Sequence, residues 1–258
     1  MLPSPPVRRR LLSVLFAGSA LMRTGQIAAL TVAALAAEDM LGSATLGGLP
    51  QATATIGIAA GTPPIAWLMA RSGRRIGLAG GLAISAGGAG LAALAVNAGS
   101  FPLFVVAMFV FGMGISAERL SRYAAADITP VSRQAFAISL VVWAGTIGSV
   151  LGPVLLAPAQ RVAGSLKLEG LAGPLVMASA FAAVASVVVV RWLRPDPLSF
   201  VPARPADVPR RSVGRLAGSK ARVALASLIV GQVVLVMIMT MTPVHILSLI
   251  HISEPTRL

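Results

Sequence analysis

Charged side chains are scarce in this chain, at 11% of 258 residues against 56% hydrophobic, and the few set against apolar runs are where chemistry would reside. Arg23 stands near the middle of the apolar stretch Leu11–Ala37, with Gln26 nearly one helical turn further on and on a similar face. If that stretch crosses a bilayer, a cation at its centre costs at least ~2.5–3.5 kcal/mol on insertion scales. Arg23 then belongs on an internal surface, where a guanidinium beside an amide would take a carboxylate or other anion from a substrate, or pair with an acid elsewhere in the protein. The competing reading is a helix that starts later and leaves Arg23 at the interface with water.

A second cluster lies in Ala70-Arg71-Ser72-Gly73-Arg74-Arg75-Ile76-Gly77, between the uncharged runs Leu46–Met69 and Leu78–Ala98. Gly73 permits a tight turn, and the arginines beside it can pair with carboxylates on neighbouring helix ends. Glu118 is the first choice of partner for Arg71 or Arg75, and Asp127 the second. Such pairs would hold one side of a bundle closed and release when it rocks. The plainer alternative is that the arginines only fix the loop on one side, with any solvated pair worth under ~1 kcal/mol.

A third group is Gly145, Gly148, Gly152 and Pro153, within Trp143–Pro153. Gly148 and Gly152 fall on one helical face a turn apart and form a groove for a close neighbour, while Pro153 removes a backbone donor and bends the helix. Generic small-residue packing gives the same pattern in many membrane helices.

The elements that must position these residues are long apolar helices. About 20 apolar residues span a hydrocarbon core, and that length predicts seven spans: Leu11–Ala37, Leu46–Met69, Ile76–Ala98, Pro102–Ala117, Ala135–Ala157, Leu171–Leu193 and Val223–Val244. Arg8-Arg9-Arg10 before Leu11 imitates a signal peptide, but the apolar run is too long for one, so a retained first helix is expected. The expected fold class is all-α: a polytopic membrane protein with a six-helix bundle over 1–193, a basic proline-rich linker over 194–222 and a seventh membrane helix over 223–246.

Composition excludes other classes. The net charge of +13 does not point to nucleic acid, because aromatics are 5% and the arginines sit at the ends of apolar runs. With no cysteine and two histidines, both near the C-terminus, no metal site of ordinary spacing and no cofactor is expected. The glycines of the third span, Gly80-Gly81 and Gly87-Gly88-Ala89-Gly90, lack the strand and the water that a nucleotide loop requires, so they read as helix packing.

Orientation follows from the basic residues. Seventeen lie in one alternating set of connections, at Arg8–Arg10, Arg71–Arg75, Arg119–Arg133 and Arg191–Arg222, and only Arg161 and Lys167 in the other. The N-terminus is therefore expected to be cytoplasmic, in a plasma (cytoplasmic) membrane. The linker carries Pro195, Pro197, Pro202, Pro205 and Pro209 among its basic residues, which reads as extended chain. Beside the inner leaflet it would attract anionic lipid, by ~1 kcal/mol per basic residue. Tyr123, in the connection expected after the fourth span, reads as a surface anchor, and Met237, Met239 and Met241 as packing or a flexible substrate path.

Six spans, a basic linker and a further span make the chain resemble the N-terminal half of a major facilitator superfamily transporter. That resemblance implies two six-helix halves with substrate bound between them near the midplane. The arginine turn is similar to the family's motif A, Gly-x-Leu-Ala-Asp-Arg-x-Gly-Arg-Arg: Leu68, Arg71, Gly73, Arg74 and Arg75 match, whereas Ala66 and Ala70 replace the glycine and the aspartate. Gly148, Gly152 and Pro153 resemble motif C, Gly-x-x-x-Gly-Pro, which the family associates with proton-coupled exporters. Motif B departs, with Met108 at its arginine and Phe111 at its glutamine position. No acid lies inside any predicted span, so a titrating group is expected either in a C-terminal bundle or at Glu118.

After Ile246, residues 247–258 resemble a translated sequencing-library adapter, and the expectation is a non-native tail on a frame that has left its C-terminal bundle behind. The reading that results is a secondary transporter, not an enzyme, exporting small organic or drug-like molecules by proton antiport through alternating access. Its alternatives are an uptake permease for an anionic metabolite, or an inactive fragment or membrane scaffold.

Overall fold

A computed structural model describes residues 3–42, 46–165, 168–201, 222–224, 226–231 and 234. The chain divides into two compact units, Met1–Pro202 and Ala203–Leu258.

The first unit is built from helices: α1 Pro5–Leu41, α2 Leu49–Arg71, α3 Arg74–Asn97, α4 Phe101–Asp127, α5 Gln134–Val154, α6 Leu156–Ser165 and α7 Ala172–Trp192. Short 3-10 turns occupy Val131–Arg133 and Pro197–Phe200. No strand occurs among the described residues. Five helical segments, Pro5–Leu41, Arg74–Asn97, Phe101–Asp127, Val131–Val154 and Ala172–Trp192, are long and apolar enough to cross a membrane. The 23 residues of α2 reach the length, but threonine, glycine and proline lower its hydropathy. The fold is the expected all-α polytopic one.

Proline opens α1, α2 and α4 within their first turn, where its missing N–H costs no hydrogen bond. The interior is fine-grained: alanines such as Ala29, Ala33, Ala92 and Ala182 are buried between helices, with Phe104, Met108 and Phe111 of α4 as the large buried side chains. Small residues let backbones approach where lipid is as apolar as the side chains. The motif-B positions Met108 and Phe111 thus serve as core. α4 packs against α2 and α3, α3 also against α7, and α1 lies between α5 and α7.

Three predicted boundaries are corrected. The fourth span, the shortest and expected to extend by a turn at one end, extends by ten residues beyond Ala117: α4 runs 27 residues to Asp127, about 40 Å at 1.5 Å per residue, longer than a ~30 Å hydrocarbon core. Polarity rises at Glu118, but alanine, arginine and leucine are strong helix formers and carry the helix on. Tyr123 is consequently half-exposed on α4 itself and not in a connection. The fifth span breaks after Val154, just beyond Pro153, and the chain resumes as the short α6. The linker does not begin as extended chain: residues 194–201 fold back, with Pro197 buried and Phe200 packed on the core. Its remainder over 202–221 lies outside the described residues, as do the tail 247–258 and most of the predicted seventh span. In the second unit a helical stretch is described at Arg222–Gly231.

Candidate substrate cleft and arginine latch

Arg23 sits eighteen residues from either end of α1, so the helix does not start later to leave it at a terminus. Its Nη1 donates to Gln26 Oε1 at 3.3 Å, and Gln26 is itself buried. The Arg23 Nε is buried without a partner, a donor free to take an incoming acceptor.

The α5 glycines explain how α1 is held there. A Cβ at position 148 would stand 2.7 Å from the Arg23 Cβ and 2.8 Å from the Thr24 amide nitrogen, and one at 152 would stand 2.9 Å from the Ile27 Cβ. Only glycine permits this approach. At Gly145 the nearest atom to such a Cβ is the Arg23 Cγ at 3.8 Å, so the side chain extends across that glycine. On the other flank Gly25 brings α1 against Ala178 of α7.

Arg23, Glu118, Arg119 and Arg122 line an open cleft of about 370 Å³ together with Val142, Gly145, Thr146 and Ser149 of α5. A neighbouring cleft of about 380 Å³ shares Arg119 and Arg122 and reaches Thr55 and Thr62 of α2. The cations that share the first cleft with Glu118 are Arg23, Arg119 and Arg122. The expected partnership of Glu118 with Arg71 or Arg75 is therefore replaced. Because α4 continues past Glu118 for nearly ten residues, that carboxylate faces the Arg23 cleft, and Asp127 is the acid that arrives at the arginine turn.

At that turn Arg74 Nε donates to Asp127 Oδ2 at 2.7 Å, joining α3 to the end of α4. Both side chains are about four-fifths shielded, at 21% and 18% exposure, so the pair is less screened than a surface one. Arg71 is exposed and stacks over the Trp67 ring, 5.3 Å from its centroid. Leu68 is half-buried, and its carbonyl accepts from Ser72 N at 2.8 Å to close α2. Gly73 has a φ of 99°, a conformation that only glycine adopts without strain.

One carboxylate at the turn escaped sequence reasoning. Asp196 accepts from Arg74 N and Arg75 N, each at 3.0 Å, and from Leu198 N at 2.8 Å. A side chain on Gly73 would run into it. The available signal was an acid directly before Pro197, a common cap at the start of a helical turn.

A bundle of long apolar helices enclosing a cleft of opposed charges defines the class as a multi-pass membrane protein. The chain belongs to the Major Facilitator Superfamily, whose family model matches residues 12–256. Among curated proteins it is similar to the uncharacterized MFS-type transporter YddS of Bacillus subtilis (strain 168), 34% identical over 228 residues, covering 84% of this chain and 52% of the relative. YdeG of the same organism, also an uncharacterized MFS-type transporter, is 36% identical over 231 residues, covering 86% and 53%. The riboflavin transporter RfnT of Brucella anthropi is 27% identical over 175 residues, covering 66% and 44%. The chain spans about half the length of the curated relatives it matches.

Proposed function

We propose that this chain forms the N-terminal bundle of a secondary transporter that exports small organic molecules in exchange for protons, by rocking against a C-terminal bundle. The observation that carries the reading is Arg23: a cation at the centre of α1, seated on α5 glycines, with a free buried donor beside a cleft. A membrane helix keeps such a charge only where it meets a polar partner, and substrate is the partner this cleft would accommodate. The Arg74–Asp127 pair acts as the latch on the cytoplasmic side, and the basic residues after α7 bind anionic lipid there. Export and antiport rest on the motif-C pattern of Gly148, Gly152 and Pro153.

A second reading, uptake of an anionic metabolite, is favoured by the charge of the cleft, where three arginines outnumber one carboxylate. Transport by the intact gene product in sealed vesicles, with the pH gradient set in either direction, separates the two. Efflux driven by inward proton movement supports the exporter. Accumulation of organic anions in its place supports the permease, and no transport of either kind leaves the scaffold reading standing.

A further inference from the structure

Helix α3 starts with no cap of its own for its first amide donors, because its cap position is Gly73 and offers no side chain. The missing acceptor arrives from 121 to 122 residues further along the chain. Asp196 divides its two oxygens: Oδ1 takes Arg74 N and Leu198 N, and Oδ2 takes Arg75 N. A single carboxylate therefore caps α3 and its own 3-10 turn at Pro197–Phe200. Negative charge at a helix N-terminus also meets the positive end of the helix dipole. The strap is tied at a second point, where Arg10 of α1 donates to the carbonyl of Arg194.

The residue so held is Arg74, whose backbone is bound to Asp196 and whose side chain is bound to Asp127. Ala70, where the family's turn carries an acid, is exposed and has no carboxylate to offer. We propose that Asp196 is the positioning acid of the latch in this chain: it fixes the start of α3 so that Arg74 reaches Asp127, and thereby makes the first residues after α7 part of the gate. The proposal rests on the reading of Arg74–Asp127 as a latch, but its test requires neither substrate nor transport.

The chain has no cysteine, so a single reporter can be placed at Leu193, which is fully buried where the strap leaves α7. The rate at which a bulky maleimide labels L193C, with the intact protein in nanodiscs, reports opening of the strap. Asp196→Ala is expected to raise that rate roughly tenfold or more, the equivalent of losing one hydrogen bond to a charged group. Asp196→Asn keeps the acceptor for Arg74 N and Leu198 N, so it should fall between the two. Glu169→Ala, an exposed acid at a different loop, should leave the rate unchanged.

A merely structural role is separated by a cycle with Asp127→Asn. If Asp196 acts through Arg74, the Asp196→Asn and Asp127→Asn effects on labelling combine to less than their product. Full multiplicativity, or wild-type labelling in Asp196→Asn, overturns the proposal. Should Asp196→Ala fail to accumulate, the asparagine variant and its cycle decide. A protein that labels as expected yet transports nothing leaves the strap standing and removes the transporter reading alone.

Discussion

Gly148 of α5 lies so close to Arg23 of α1 that an added Cβ would stand 2.7 Å from the Arg23 Cβ, nearer than side chains pack. The contact joins the glycine pattern of one helix to the single mid-helix cation of another. It turns a packing motif into the support of a candidate binding residue.

Replacing Gly148 by alanine should therefore displace α1 and cost ~1–3 kcal/mol, the usual penalty for overpacking. Gly152→Ala should behave alike, because its Cβ would stand 2.9 Å from the Ile27 Cβ. Gly145→Ala has 3.8 Å to its nearest neighbour and should melt like the parent. Thermal unfolding in detergent checks the contrast: equal losses at all three positions would mean that the glycines serve helix flexibility and not contact.

Removing the Arg23 charge should have opposite effects on stability and activity. Arg23→Leu relieves an insertion cost of at least ~2.5–3.5 kcal/mol, so the variant should accumulate in membranes at or above the parent level. Transport should nevertheless fall at least tenfold, since the cleft loses its buried donor. Arg23→Lys keeps the charge without the planar fork and should recover only part of the activity. Retained transport in Arg23→Leu would assign the residue to structure.

The latch predicts rescue by reversal. Asp127→Arg should impair transport by setting two cations together, and adding Arg74→Asp should restore part of it. Partners in contact usually couple by roughly 0.5–3 kcal/mol in such cycles. Reversal of Glu118 with Arg71 or Arg75 should restore nothing, because Glu118 faces the Arg23 cleft. Uptake rates of the four reversal combinations distinguish the pairings.

Membrane class, helix positions and the glycine groove were legible because they depend on composition and on 3.6-residue spacing, which the chain states directly. Partner choice was not, because it depends on where a helix ends. Placing the end of the fourth span at Ala117 put Glu118 at the turn. Ten more residues of α4 leave Glu118 well short of the turn, in the cleft with Arg23, and deliver Asp127 in its place. Asp196 was hidden for a related reason: its partners, Arg74 and Arg75, are local in space and remote in sequence. Density of proline suggested extended chain there, but an acid before Pro197 made a capped turn instead.

The longer α4 also changes the question of proton coupling. With Glu118 seventeen residues into a 27-residue helix, an acid lies within the bundle, where none was expected inside a span. The charged groups around it are Arg23 from α1 and Arg119 and Arg122 from α4, while α5 contributes Gly145, Thr146 and Ser149. If Glu118 carries the coupled proton, Glu118→Gln fixes the site in its neutral form. Exchange of labelled for unlabelled substrate should then continue, whereas movement driven by a pH gradient should be lost. Measuring both in the same vesicles separates coupling from binding. Loss of exchange together with gradient-driven transport would place Glu118 in the substrate contact, and survival of both would move the coupling acid to another part of the transporter.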